Sequence, residues 1–158
     1  MTLFHGTSRT EPVLIFNAAE GFDHRYANKE GLWGEGIYFA SNARYSHDWA
    51  FRPAAGSAPP SAPGREVRQM LVAQVLVGHA YDAGTTKMKG IKKPPNKPNA
   101  NVNSDSGSSS VAAAGAPKLE GELYDSVRCE HLQSINYIVY ASGRAYPDLL
   151  LTYEYPTE

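Results

Sequence analysis

Gly34-Glu35-Gly36-Ile37-Tyr38-Phe39-Ala40-Ser41-Asn42-Ala43-Arg44-Tyr45-Ser46-His47-Asp48-Trp49 is the stretch on which the reading of this chain turns. The glycine pair at Gly34 and Gly36 says only that the backbone bends sharply there. Residues 36–40 (GIYFA) are aromatic and β-branched, which predicts a short strand with Tyr38 at its middle. Ser41 offers a side-chain oxygen as N-cap, so a helix is expected to run from there to about Trp49 or Ala50. On such a helix Ser46 and Trp49 stand at i and i+3 and share one face.

Working outward, residues 2–5 (TLFH) predict a strand that runs into the turn Gly6-Thr7-Ser8. Thr10 can cap a helix over 11–19, with Pro12 tolerated in the first turn. Residues 67–77 (VRQMLVAQVLV) contain no breaker and are rich in branched side chains, the pattern of a well-buried strand. Residues 137–140 (YIVY) and 149–153 (LLLTY) predict two more, with Gly143 and Pro147 between them. Five or more short strands and two short helices imply an α+β domain around a small or split sheet.

At 158 residues the chain has the length of one domain. No apolar run reaches the length of a membrane span, so no membrane partner is expected. The lone cysteine, Cys129, excludes an internal disulfide framework and fits a reducing compartment, cytoplasmic or nuclear. The five histidines (5, 24, 47, 79 and 131) form no H-x-x-H pair, so no metal is expected. The formal charge is −1, but it is unevenly spread. Two low-complexity stretches, 52–64 and 85–118, hold eight of the eleven prolines and seven of the fifteen basic residues. The other 111 residues carry a formal −7, which argues against a groove that tracks a phosphate backbone. Both stretches read as solvated insertions within one domain spanning 1–158, and 85–118 is expected to be mobile and dispensable for folding. The lysines between 87 and 97 leave contact with an anionic partner open. A monomer is expected.

The chain has no phosphate-binding G-x-x-x-x-G-K-[ST], no G-x-G-x-x-G, no H-E-x-x-H and no G-x-S-x-G. It has instead aromatic and polar residues at strand ends. From spacing alone, His5 reads as a partly exposed structural histidine, and Tyr38 and Trp49 read as core packing.

The segments together say more. Leu3-Phe4-His5-Gly6-Thr7, Gly21-Phe22-Asp23-His24-Arg25, residues 34–40, Ala43-Arg44-Tyr45-Ser46-His47 and Met70-Leu71-Val72-Ala73 follow one another in order. Val75-Leu76-Val77-Gly78, Leu123-Tyr124-Asp125-Ser126-Val127, Tyr137-Ile138-Val139-Tyr140 and Ala145-Tyr146-Pro147-Asp148 complete the series. The ordered set resembles the catalytic domain of the poly(ADP-ribose) polymerase family, the diphtheria-toxin-like ADP-ribosyltransferases. It is most similar to the mono-ADP-ribosylating branch. Only the two low-complexity stretches fall outside it.

That resemblance implies an ADP-ribosyltransferase fold, with split antiparallel β-sheets around an NAD cleft and short flanking helices. It implies NAD+ as co-substrate, cleavage of the nicotinamide–ribose bond and transfer of ADP-ribose to a protein acceptor. By the same resemblance His5 hydrogen-bonds the adenosine ribose. Gly6 offers backbone N–H and C=O to the nicotinamide carboxamide, Ser46 adds a hydroxyl, and Tyr38 walls the nicotinamide slot. Thr7 belongs to the same cofactor-binding set. Trp49 occupies the place of a second stacking tyrosine, eleven residues on. Arg25 is expected near the adenosine or diphosphate, with a plain surface arginine as the other reading.

One position departs. Polymerising members carry glutamate immediately before the Tyr-x-x-Tyr strand, where this chain has Asn136. An amide can hydrogen-bond a ribose hydroxyl but bears no charge and takes no proton. The resemblance therefore implies transfer of single units, by a catalytic set of His5, Tyr38 and Asn136. Sequence alone does not place Glu130 in the site. Two other readings stay open: a silent module that binds NAD or a partner, and an enzyme that modifies RNA ends, since RNA 2′-phosphotransferases share the His-Gly-Thr start.

Overall fold

The computed structural model describes residues 1–54, 56, 57, 59–98 and 121–157. The strands are β1 (Thr2–His5), β2 (Ile37–Ala40), β3 (Arg65–Val75), β4 (Ala80–Asp82), β5 (Ser126–His131), β6 (Ser134–Val139) and β7 (Ala145–Pro156). Two five-residue helices, α1 (Pro12–Phe16) and α2 (Ala43–His47), and a 3₁₀ turn at His24–Tyr26 lie between them. No described helix is long and apolar enough to cross a membrane.

The strands form one seven-stranded sheet in the order β4-β5-β6-β2-β1-β3-β7. All pairings are antiparallel except β4 with β5. The expected split into separate sheets is not seen, though its physical basis is visible. At the centre of the sheet β1 and β2 share a single register pair, Phe4 with Ala40. Beyond it the two strands part, and the sheet is close to dividing there. On one side of this seam β3 and β7 run together for eleven paired positions, with a shift between Val72 and Ala73.

Two apolar clusters hold the faces. Leu3, Ile37, Phe39, Leu71, Ala73 and Val139 gather in one, with Phe22 laid over them. Trp33, Val127, Cys129, Ile138 and Tyr140 gather in the other. Alternate residues of β2 and β6 feed opposite clusters, as the two-residue period of a strand requires.

Several boundaries differ from expectation. The helix after β2 is capped by Asn42, whose side-chain oxygen accepts from the Arg44 N–H at 2.9 Å, rather than by Ser41. The first helix is Pro12–Phe16, with Glu11 at its N-cap and no side-chain cap, so Thr10 does not serve. Thr10 instead closes a turn with Thr7, its N–H bonding the Thr7 carbonyl at 3.1 Å.

The larger correction concerns the second low-complexity stretch. Residues 85–98 are tied to the fold: the Met88 N–H bonds Leu32 O at 2.9 Å, and the Glu35 N–H bonds Ile91 O at 2.8 Å. Met88 and Ile91 pack against the second cluster, and the Trp33 indole N–H donates to Thr86 O at 2.8 Å. Asn96 bridges Leu123. Backbone hydrogen bonds and two apolar side chains, Met88 and Ile91, together anchor it among the lysines and prolines. Residues 99–118, the rest of the stretch expected to be mobile, lie outside the described residues. In the first stretch Arg52, Ala54, Gly56, Ser57 and residues 59–64 are exposed, and Pro53 is half-buried.

Candidate active site

Where β1 and β2 part, the ladder would next pair Gly6 with Tyr38. The His5 ring does that work instead, its Nδ1–H donating to the Tyr38 carbonyl at 2.7 Å. This bond fixes the tautomer, leaving Nε2 with its lone pair as an acceptor. The ring is half-buried, edge-on to Phe22 at 5.1 Å and tilted against Phe39 at 5.3 Å. Burial lowers its pKa from the usual 6.5, against a smaller opposing pull from the Tyr38 carbonyl, and favours the neutral ring.

Gly6 follows directly and touches the other side of the gap. A Cβ built there would lie 2.5 Å from both Ser46 O and the Trp49 carbonyl carbon. Only a glycine lets the two backbones approach this closely. The Ser8 N–H then bonds Trp49 O at 2.7 Å, and the Thr7 hydroxyl donates to Thr10 O at 2.5 Å. The chain leaving β1 is thereby stitched to the chain leaving α2.

Tyr38 is held from behind. Its hydroxyl accepts from the Trp33 N–H at 2.8 Å and donates to Gly34 O at 2.9 Å. Burial pushes this phenol up to about 12. A hydroxyl so engaged is poorly suited to proton transfer near neutrality, so Tyr38 offers a ring face rather than an acid or base. Ser46 is buried on α2. Trp49 lies two residues beyond that helix, yet its N–H bonds Ser46 O at 3.1 Å, which keeps the expected relation between them. Its side chain is 54% exposed, which overturns the core-packing reading.

Asn136 stands on β6 opposite Ala40 of β2 and Cys129 of β5. Tyr38, Ala40, Asn136 and Ile138 therefore share one face of the sheet. Asn136 is 2% exposed. Its Oδ1 accepts from the Ser134 hydroxyl at 3.1 Å, while its Nδ2 is buried beside the Cys129 thiol and completes no hydrogen bond of ordinary geometry. Burial pushes the neighbouring Cys129 thiol up to about 12, which keeps it an inert thiol.

The structure does not bring Arg25 into this group. Its guanidinium is exposed and held by Asp23, at 2.9 Å through Nε and 2.7 Å through Nη2, with Glu20 at 3.9 Å. Glu130 is exposed, alternates to the face opposite Asn136 and pairs with Arg128 at 2.9 Å. Among the described residues no group of three or more His, Cys, Asp or Glu side chains is placed to hold a metal ion.

Two residues near Asn136, Cys129 and His131, escaped the sequence reading as members of this face. His131, opposite Ser134 on the same face, lies edge-on to Trp33 at 5.5 Å and to Tyr45 at 6.1 Å. Their signal was the period of two through Val127, Cys129 and His131, legible only once the hairpin turn at Leu132-Gln133 is recognised.

With this geometry in hand, a comparison with protein families is decisive. A model described as "Poly(ADP-ribose) polymerase catalytic domain" matches residues 1–155. The chain belongs to that family. Poly(ADP-ribose) polymerase catalytic domains use NAD+ as substrate, and the activity they support is ADP-ribosyl transfer. Among curated proteins the chain is 30% identical, over 96% of its length, to a Dictyostelium discoideum protein described as "Probable poly [ADP-ribose] polymerase". It is 36% identical, over 59% of its length, to "Protein mono-ADP-ribosyltransferase PARP10" of Mus musculus. The alignments cover 33% and 8% of those proteins, so the chain spans a third of the first and under a tenth of the second.

Proposed function

We propose that this domain is an NAD+-dependent mono-ADP-ribosyltransferase that moves one ADP-ribose to a protein acceptor. The observation that carries the reading is Asn136, a neutral, buried amide with an unpartnered Nδ2 on the face that bears Tyr38. A buried donor left unpaired costs about 1–3 kcal/mol, which a ligand hydroxyl accepting from Nδ2 would recover. Gly6 and His5 favour the same ligand: a backbone cradle closed to any Cβ, and an imidazole whose tautomer leaves one acceptor.

In this reading the neutral His5 accepts at Nε2 from the adenosine ribose. Gly6 presents N–H and C=O to the carboxamide, and Ser46 adds its hydroxyl. The Tyr38 and Trp49 rings form the walls of the nicotinamide slot. Thr7 shapes the turn beneath it, and Arg25 reaches the diphosphate side only by releasing Asp23. Cleavage of the nicotinamide–ribose bond of bound NAD+ supplies a ribose that carries positive charge. Asn136 orients a ribose hydroxyl but takes no proton from it. An acceptor carboxylate brings the missing negative charge. A hydroxyl on an ADP-ribose already attached finds no base here, and losing a general base costs about 10²–10⁴-fold in rate. Chains therefore do not grow.

Labelled NAD+, followed by a gel and by intact mass of the protein and of added RNA, tests this. The wild type is expected to gain single ADP-ribose increments on protein. Asn136→Glu is expected to hydrolyse NAD+ faster. A high-molecular-weight ladder from the wild type would sink the assignment of Asn136. Binding of NAD+ without any increment would favour a silent module, and label on RNA alone would move the acceptor class.

A further inference from the structure

The helix that carries Ser46 has five residues, too few to be stable unaided. Its last residue, His47, is half-buried in a polar cluster around the buried Arg68, a cluster that the proposed chemistry does not use. Arg68 of β3 is 8% exposed and donates through Nη1 to His47 Nε2 at 2.8 Å and to His47 O at 3.2 Å. A guanidinium only donates, so Nε2 is the accepting nitrogen and Nδ1 carries the proton. Nδ1–H donates to the Tyr153 hydroxyl of β7 at 2.8 Å. The Tyr155 ring covers the imidazole at 4.1 Å, and the Arg68 guanidinium lies 5.2 Å from that ring centre. Glu66 neutralises Arg68, accepting from Nε at 2.5 Å and also pairing with Nη2.

We infer that Arg68 and His47 are positioning residues for the NAD+ slot, locking the end of α2 so that Ser46 and Trp49 stay against Gly6, and that protonation of His47 opens the lock. The inference rests on the reading of the slot given above. The connection is short: the Trp49 N–H bonds Ser46 O, the Ala50 N–H bonds His47 O at 3.0 Å, and Ser8 bonds Trp49 O. Phe51 then bridges Gln69, the residue after Arg68. Among the described residues the charged or titratable groups facing His47 can be named. From β3 come Arg68 and Glu66, from the end of α2 Asp48, from the following segment Arg52, and from β7 Tyr153 and Tyr155. Burial and then Arg68 lower the His47 pKa, while Asp48 and Glu66 oppose them. An imidazolium cannot accept from Arg68, so the bond is present at neutral pH and lost on acidification.

The Trp49 indole N–H resonance of the free protein reads the lock directly and needs no NAD+. The signal is assigned as the one that vanishes in Trp49→Phe. It is expected to shift between pH 7.5 and 5 in the wild type and to hold still in His47→Gln, whose amide accepts and donates without titrating. Arg68→Met is expected to move it at every pH and to raise the Kd for NAD+ about tenfold, the scale of losing a support behind a binding group. His47→Gln should keep near-wild-type affinity at pH 7.5 and lose part of its pH dependence, the remainder belonging to His5. An indole signal that follows pH identically in wild type and His47→Gln overturns the inference. So does a folded Arg68→Met with the native signal and unchanged Kd. A protein that binds no NAD+ yet shows the His47-dependent shift sinks the slot reading and leaves the lock standing.

Discussion

Tyr38 and Trp49, the two rings offered to the proposed nicotinamide slot, are held by different kinds of structure. Tyr38 is half-buried at mid-strand, paired with Ile138, and its hydroxyl is bonded on both sides by the Trp33–Gly34 turn. Trp49 is more than half exposed, and backbone bonds through Ser46 and Ser8 fix where it sits. One wall is part of the fold; the other is a side chain presented by the fold. Substitutions at the first should therefore register as lost stability and lost binding together. Substitutions at the second should register as lost binding alone.

Gly6 lies where the two constructions meet, and the largest effect is expected there. In Gly6→Ala the added methyl meets main-chain atoms of Ser46 and Trp49, which cannot swing aside as a flexible side chain would. Overpacking of this kind costs about 1–3 kcal/mol in stability. NAD+ binding should fall below detection by calorimetry, because the chain bearing Trp49 must move away. A folded Gly6→Ala that binds NAD+ like the wild type would break the picture of a closed cradle.

Tyr38→Phe separates the ring from its anchor. The wall remains, but the Trp33 N–H loses its acceptor, at about 1–3 kcal/mol of stability. Denaturant titration should show that loss while the NAD+ Kd changes little. Trp49→Ala should do the reverse. Removing one stacking partner costs about 0.5–1.5 kcal/mol, a Kd about 2- to 10-fold weaker. Exposed substitutions usually leave stability within about ±0.5 kcal/mol, so the melting curve should hardly move. A large stability loss for Trp49→Ala would mean that the indole packs on the protein in solution.

The same contrast explains what the sequence could reveal. Strands β1, β2, β3, β6 and β7 were legible because their apolar residues recur at the strand period or run unbroken. Strands β4 and β5 were not: one has three residues, and the other sets Arg128 and Glu130 on its outer face. The start of α2 is not legible, because neighbouring Ser41 and Asn42 can both cap and the backbone geometry selects Asn42. The stretch from Thr85 to Pro98 reads as a loop by composition, since nothing in composition says that Met88 and Ile91 find a pocket beside Trp33. At the proposed site, His5, Gly6, Tyr38, Ser46 and Trp49 stand out in the sequence as motif residues. Their backbone stitching, the lock behind His47 and the row through Cys129 and His131 do not, because each depends on strand register.

The smallest effect expected is a pH dependence of stability, and it tests whether both walls share acid-sensitive supports. His5 sits behind the Tyr38 carbonyl and His47 behind the chain that carries Trp49. Burial is the first cause lowering both pKa values below the usual 6.5. A histidine depressed in the folded state binds fewer protons folded than unfolded between the two pKa values. Stability therefore rises with pH in that window and is fully present above about 6.5. As pH falls from 7 toward 5 the unfolded chain gains protons that the folded one resists, and the melting temperature should drop. The carboxylates lowered by their partners, Asp23, Asp82 and Asp125, act only further down, below their ordinary 3.8, and leave this window clear. A change on the order of 1 kcal/mol would appear as about 2–4 °C in a domain of this length. His5→Gln and His47→Gln should each flatten the slope between pH 7 and 5, and the double variant should flatten it further. A wild-type melting temperature that holds level across that range would mean that neither histidine is desolvated in solution. A slope removed by His47→Gln alone would place the acid sensitivity on the Trp49 side.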